Sequence, residues 1–305
     1  MDNKLNKNIQ QIKLDIQNQS YQEAINKLLD IYQNKNIFPV PVLLAKSYFM
    51  QKQFIKAINI VYDNINAFVK NYDDFRLLVK ILLKNNEFIK SRELAVQVSN
   101  TFDEIDDIFI LIEQSEHQFT NTQSIYAREL SNNFYHMGLY KNLYSQKKSL
   151  LEGQKLPLAL FTKYSKYLLM DPFVDSIIKS ELLDTFRKLN LKETVKFIGL
   201  DKNIYDIHLS NLKELSSMYS YNYINNKLYE EYANNNPMEY FKLRAYFEYQ
   251  GISMYPLNDK IIADLNNWYN LSIDAYLDKN ISKFDKNNSD FKIISIIISK
   301  FNGLN

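Results

Sequence analysis

Arg76, Lys80 and Lys84 fall four residues apart. On a helix, positions four apart share one face, so the three cations form a single stripe. Such a stripe suits a carboxylate, an acidic segment or a phosphorylated partner. Two neighbouring segments offer matching positions. Aligning "LLAKSYFMQK" (43–52) with "LLVKILLKNN" (77–86) puts Lys46 where the second has Lys80. Aligning "LSNNFYHMGLY" (130–140) puts Arg128 at the place of Arg76 and Asn132 at that of Lys80, with Tyr135 and His136 further along. The competing reading is a solvated basic face balanced by acids elsewhere.

Other groupings carry less chemistry. His117, His136 and His208 are scattered, with no pair at i,i+4, which argues against zinc. With five glycines the chain has no phosphate-cradling loop and no G-x-S-x-G nucleophile turn. "DKNNSD" (285–290) alternates Asp285, Asn287 and Ser289 as a calcium loop would. Asp290 stands where the sharp turn needs Gly, and Ile296 stands where a bidentate Glu is needed, so a solvated linker is expected. "DEIDD" (103–107) reads as acids at a helix start, where they favour the helix dipole. "YSYNYINNKLYEEY" (219–232) has five tyrosines but only Lys227 between them. A base-stacking surface would interleave more cations, so core and semi-buried tyrosines are expected.

The elements that carry these residues follow from composition and period. The 305 residues are 46% hydrophobic, with 23 Tyr and 19 Phe, enough for a substantial core. Few Gly and Pro favour long helices with short connections. A net charge of +2 does not point to nucleic acid. The absence of Cys excludes disulfides and thiolate metal sites. A polar "MDNKLNKNIQQIKLDIQ" and the lack of a long apolar run predict a cytoplasmic protein with no membrane partner. The 36 Asn, scattered through amphipathic segments, suggest an AT-rich coding bias.

A repeat supplies the architecture. "SYQEAINKL" carries Tyr21 and Ala24, "QFIKAINIV" carries Phe54 and Ala57, and "EFIKSRELA" carries Phe88 and Ser91. The aromatics lie 33 and 34 residues apart, each with a small residue three places on. A fourth copy places Leu130, Phe134, Gly138 and Tyr140 in register. The segment 102–119 has the length of one extra helix, which would shift the alternation of faces beyond residue 100. A 34-residue large–small–large pattern resembles the tetratricopeptide repeat. The resemblance implies antiparallel helix pairs, a small residue admitting close approach, and stacking into a right-handed α-solenoid whose first helices line a concave groove. The copies are degenerate: the only Trp is Trp268, and Ala45, Val79 or Ser131 replaces the usual Gly. The carboxylate clamp of the family's chaperone-binding members is incomplete, since Val42 stands at its Lys position.

An all-α fold with one exception is therefore expected. Residues 1–170 should be helical repeats and 171–305 a helical C-terminal region. Asp171–Pro172 reads as a helix start. "ETVKFIGLDKNIYDIHLS" (193–210) reads as a β-hairpin over about 194–208, because Val195 and Phe197 alternate with Lys196 and Ile198 around "LDKN". "DPFVDSIIKSELLDTFRKLNLKETVKF" and "YPLNDKIIADLNNWYN" resemble segments of uncharacterised tetratricopeptide proteins of low-GC Gram-positive bacteria, a resemblance that supplies no site residues. The function expected is a non-enzymatic adaptor that binds a protein or peptide through Lys46, Arg76, Lys80, Lys84, Arg128 and Asn132, without cofactor or metal. A peptide-sensing regulator is the alternative; with repeats beginning near residue 20, no N-terminal DNA-binding domain is expected. An enzyme with a C-terminal catalytic domain has less support.

Overall fold

The computed structural model describes residues 3–34, 37–278 and 288–303. Helices dominate, and the one sheet among the described residues is a two-stranded antiparallel hairpin. The chain forms two compact units. One comprises Met1–Asn132 and Leu151–Phe161, and the other Asn133–Leu150 and Thr162–Asn305.

The first unit begins with α1 (Asn3–Gln17), α2 (Tyr21–Asn34), α3 (Val40–Met50), α4 (Phe54–Asp63), the one-turn α5 (Ile65–Phe68), α6 (Tyr72–Lys84), α7 (Phe88–Gln97) and α8 (Ile105–Thr122). Helix α9 follows (Ser124–Tyr135). The packing order is regular. α2 lies on α1 and α3, α4 on α3 and α6, and α7 on α6 and α8. The helices α1, α3, α6 and α8 also touch in succession.

The sequence period has a backbone counterpart. Gln19, Lys52 and Asn86 all adopt left-handed conformations, with φ of 63°, 59° and 61°. After each, an N–H reaches the carbonyl five residues back: Ser20 to Asp15 at 2.8 Å, Gln53 to Tyr48 at 2.9 Å, and Glu87 to Leu82 at 3.0 Å. This closure satisfies carbonyls that a helix end leaves without partners. It ends α1, α3 and α6 in the same way and turns each chain back as α2, α4 and α7. The small residues Ala24, Ala57 and Ser91 are fully buried one turn into those helices. Ser91 returns its hydroxyl to the Glu87 carbonyl at 2.8 Å. Phe88 is buried with its ring 5.2 Å from Phe119, while Phe54 is half-buried 5.6 Å from Phe49.

A buried ion pair joins α7 to α8. Arg92 donates to both carboxylate oxygens of Glu116, at 2.9 and 2.8 Å. The Leu158 N–H donates to the same carboxylate at 3.1 Å, and the Ile89 N–H donates to the Gln154 carbonyl at 3.2 Å. Residues 151–161 are thereby tied to α7 and α8.

The second unit contains most of α10 (Leu143–Gly153) and α11 (Leu158–Met170), then α12 (Ser176–Lys188), β1 (Thr194–Ile198) and β2 (Ile204–His208). It continues with α13 (Tyr219–Tyr232), α14 (Pro237–Met254), the one-turn α15 (Asn258–Ile261), α16 (Leu265–Asp278) and α17 (Ser289–Asn302). The hairpin occupies the expected residues, with Val195 opposite Ile207 and Phe197 opposite Tyr205. Val195, Phe197 and Ile207 are buried, while Lys196 and Asp206 pair on the outer face at 3.1 Å. One expectation is corrected. Helix α12 starts at Ser176, because Asp171 spends its carboxylate on a turn, accepting from the Phe173 N–H. Asp175 is the cap, accepting from the Ile177 N–H at 2.9 Å. Of the α13 tyrosines, Tyr221, Tyr223 and Tyr232 are semi-buried as expected, Tyr223 and Tyr232 against the core, while Tyr219 and Tyr229 are exposed and none is fully buried. Ile224 and Leu228 supply that helix's buried stripe instead.

Trp268, Tyr246, Phe247 and Tyr269 with Ile294, Ile297 and Ile298 form the core of the C-terminal helices. Phe247 and Tyr269 stack within 3° of parallel. Trp268 donates its indole N–H to Gln250 at 3.1 Å, and Gln250 donates to Ser272 at 3.1 Å. The Ile-rich 294–300 run is thus a core segment.

Candidate binding face

Helix α6 begins with Asn71 as cap, its side chain accepting from the Asp74 N–H at 3.0 Å. Phe75, Leu78, Val79, Ile81 and Leu82 face inward and are fully buried. Arg76 and Lys84 are exposed and Lys80 is half-buried, on successive turns of the remaining face. Lys46 is exposed on α3, between the buried Ala45 and Ser47. Since α3 and α6 pack together, Lys46 and Lys80 belong to neighbouring helices at equivalent positions. None of these four cations has an ion-pair partner among the described residues.

The acids expected at a helix start are there: Asp106 and Asp107 lie in the first turn of α8. Their placement adds something the repeat pattern did not show. The Tyr72 hydroxyl is buried and without a hydrogen-bond partner. Burial raises its pKa first, then Asp107, with Glu104 and Asp73 adding to the rise and Arg76 opposing it. Asp107 and Glu104 of the α8 start and Arg76 of α6 thus all act through space on the Tyr72 hydroxyl.

Arg128 and Asn132 are exposed on α9. It is α8, the extra helix anticipated in 102–119, that packs on α6 and α7, one helix before α9. Tyr135 and His136 lie in the second unit, where Tyr135 meets Tyr164 and Tyr167 ring to ring at 5.8 Å.

Among the described residues no group of three or more His, Asp or Glu is placed to hold a metal ion. Asp285 and Asn287 of the calcium-like stretch lie outside the described residues. Asn288 caps α17, accepting from the N–H groups of Asp290 and Phe291, so Ser289 and Asp290 are helical. No described helix is long and apolar enough to cross a membrane. Comparisons with protein-family models, curated proteins and solved structures found no match to this chain.

Sequence reasoning missed three buried charged residues. Arg92 and Glu116 are buried together on α7 and α8. Lys179 on α12 is 4% exposed. It had a signal: Lys179, Leu182, Leu183 and Phe186 follow helical spacing, which puts a lysine on an apolar stripe.

Proposed function

We propose that the first unit is a tetratricopeptide-type α-solenoid that binds an acidic or carboxylate-bearing peptide, and that the protein is a non-enzymatic adaptor. The observation that carries this reading is the recurrence of one turn geometry at residues 19, 52 and 86, over helices that alternate in packing. Arrays of this kind present a continuous surface of first helices to a partner. Here those helices carry Lys46, Arg76, Lys80 and Lys84, cations without partners and so available to a ligand's carboxylates. Arg128 and Asn132 extend the face only if α9 adds to the same surface.

The test uses the full chain and its Lys80→Glu/Lys84→Glu variant. Affinity capture from source lysate identifies the partner. Fluorescence anisotropy then compares the captured segment with an acid-neutralised copy. The expected result is at least tenfold weaker binding by the variant and by the neutralised segment, with unchanged circular dichroism. Equal binding by both chains removes this face from consideration.

A further inference from the structure

The second unit holds a cavity of about 540 Å³ at the start of α12, between the hairpin turn and α17. This lies within the range of small-molecule sites, roughly 300–1,000 Å³. Val174, Ile198 and Ile296 give it apolar walls, and Lys179, Lys202 and Lys300 line it at three depths. Lys202 is exposed at the hairpin turn. It sits at φ 65°, a conformation that glycine adopts at less cost. Lys300 is anchored to Asp175 at 2.8 Å. Lys179 differs from both. It is 96% buried by its 4% exposure, yet among the described residues its ammonium has no hydrogen-bond or ion-pair partner. Asp171 and Asp175 act on it only through space. The side chain is largely buried, so its ammonium can reach a counterion only through the cavity it lines, and an ammonium so placed without a paired anion is costly. The chain provides the room for one and leaves it to another molecule.

We propose that this cavity binds a small organic anion, an apolar body carrying one carboxylate or one phosphate. Lys179 takes the anionic head, Lys202 stands at the mouth, and Val174, Ile198 and Ile296 enclose the body. The cavity lies wholly within the second unit, so this proposal does not depend on the peptide-binding face.

The test is isothermal titration of the full chain with hexanoate and with hexyl phosphate, beside hexanol and inorganic phosphate. Lys179→Met serves as the variant, folded by circular dichroism. One-to-one binding of hexanoate or hexyl phosphate is expected, at least tenfold weaker in the variant. Whichever of the two binds more tightly identifies the head group. Hexanol and inorganic phosphate should each bind at least tenfold more weakly than the better anion. A second readout guards against an indirect effect of the substitution. The bound anion should slow acetylation of Lys179 by dilute acetic anhydride, followed by mass spectrometry, at least fivefold. Absence of binding by both organic anions overturns the proposal. So does equal affinity in Lys179→Met, equal binding of hexanol, or unprotected Lys179.

Discussion

Replacing Lys179 by Met should make the protein more stable at neutral pH, and the gain should vanish in alkali. Burial holds the Lys179 amine down to about 8 from its ordinary 10.5, with Lys300 adding to the fall and Asp171 and Asp175 opposing it. One pKa unit corresponds to 1.36 kcal/mol, so the shift corresponds to about 3 kcal/mol. The sign follows from proton counts. Below pH 8 both folded and unfolded chains carry the proton, and folding bears the full cost of burying it. Between pH 8 and 10.5 the unfolded chain holds a proton that the folded chain has lost, so wild-type stability rises with pH relative to the variant. Met keeps the stem and removes the charge. The expected difference, from urea unfolding at pH 7, 8, 9 and 10, favours Lys179→Met by up to about 3 kcal/mol at pH 7 and declines steadily above pH 8. Groups common to both chains cancel in the difference. Any packing change from Met adds a constant, so the slope is the decisive quantity. A difference that stays flat from pH 7 to 10 refutes the depressed amine.

Glu116→Gln should destabilise the first unit by about 1–3 kcal/mol, because it leaves the buried Arg92 with only the exposed Glu113 carboxylate, 4.0 Å away, as counterion. The double variant Arg92→Met/Glu116→Leu should cost much less, and denaturant midpoints for both give the comparison. Ala57→Leu should cost at least about 1–3 kcal/mol through overpacking at a fully buried helix contact, read by thermal unfolding. Gln250→Ala should leave the indole N–H of Trp268 without its acceptor and cost about 1–3 kcal/mol. Trp268 is the only tryptophan, so its fluorescence reports the loss directly.

Period and alternation were readable wherever a local rule decides structure. Ala24, Ala57 and Ser91 are small because helices meet there, and that requirement leaves its mark every 33 or 34 residues. Val195 and Phe197 mark a strand because a hairpin packed on one face must alternate. Legibility failed where residues distant along the chain decide. Arg92 and Glu116 lie 24 residues apart, and neither looks unusual until both helices are packed. The repeat register did not show that the 18-residue α8, and not α9, packs against α6 and α7. Asp171 and Asp175 are equally good caps by composition. The turn at Pro172 claims the first carboxylate and leaves the second for the helix.

The path of the chain carries a consequence for biosynthesis. The first unit takes residues 151–161 from beyond a stretch that belongs to the second. Glu116 receives the Leu158 N–H, and Ile89 donates to Gln154, only after that segment exists. On the ribosome these last contacts of the first unit form only after residues 133–150, which belong to the second unit, have been made. A fragment cut at residue 132 would lack the Leu158 N–H that Glu116 accepts and the Gln154 carbonyl that Ile89 reaches.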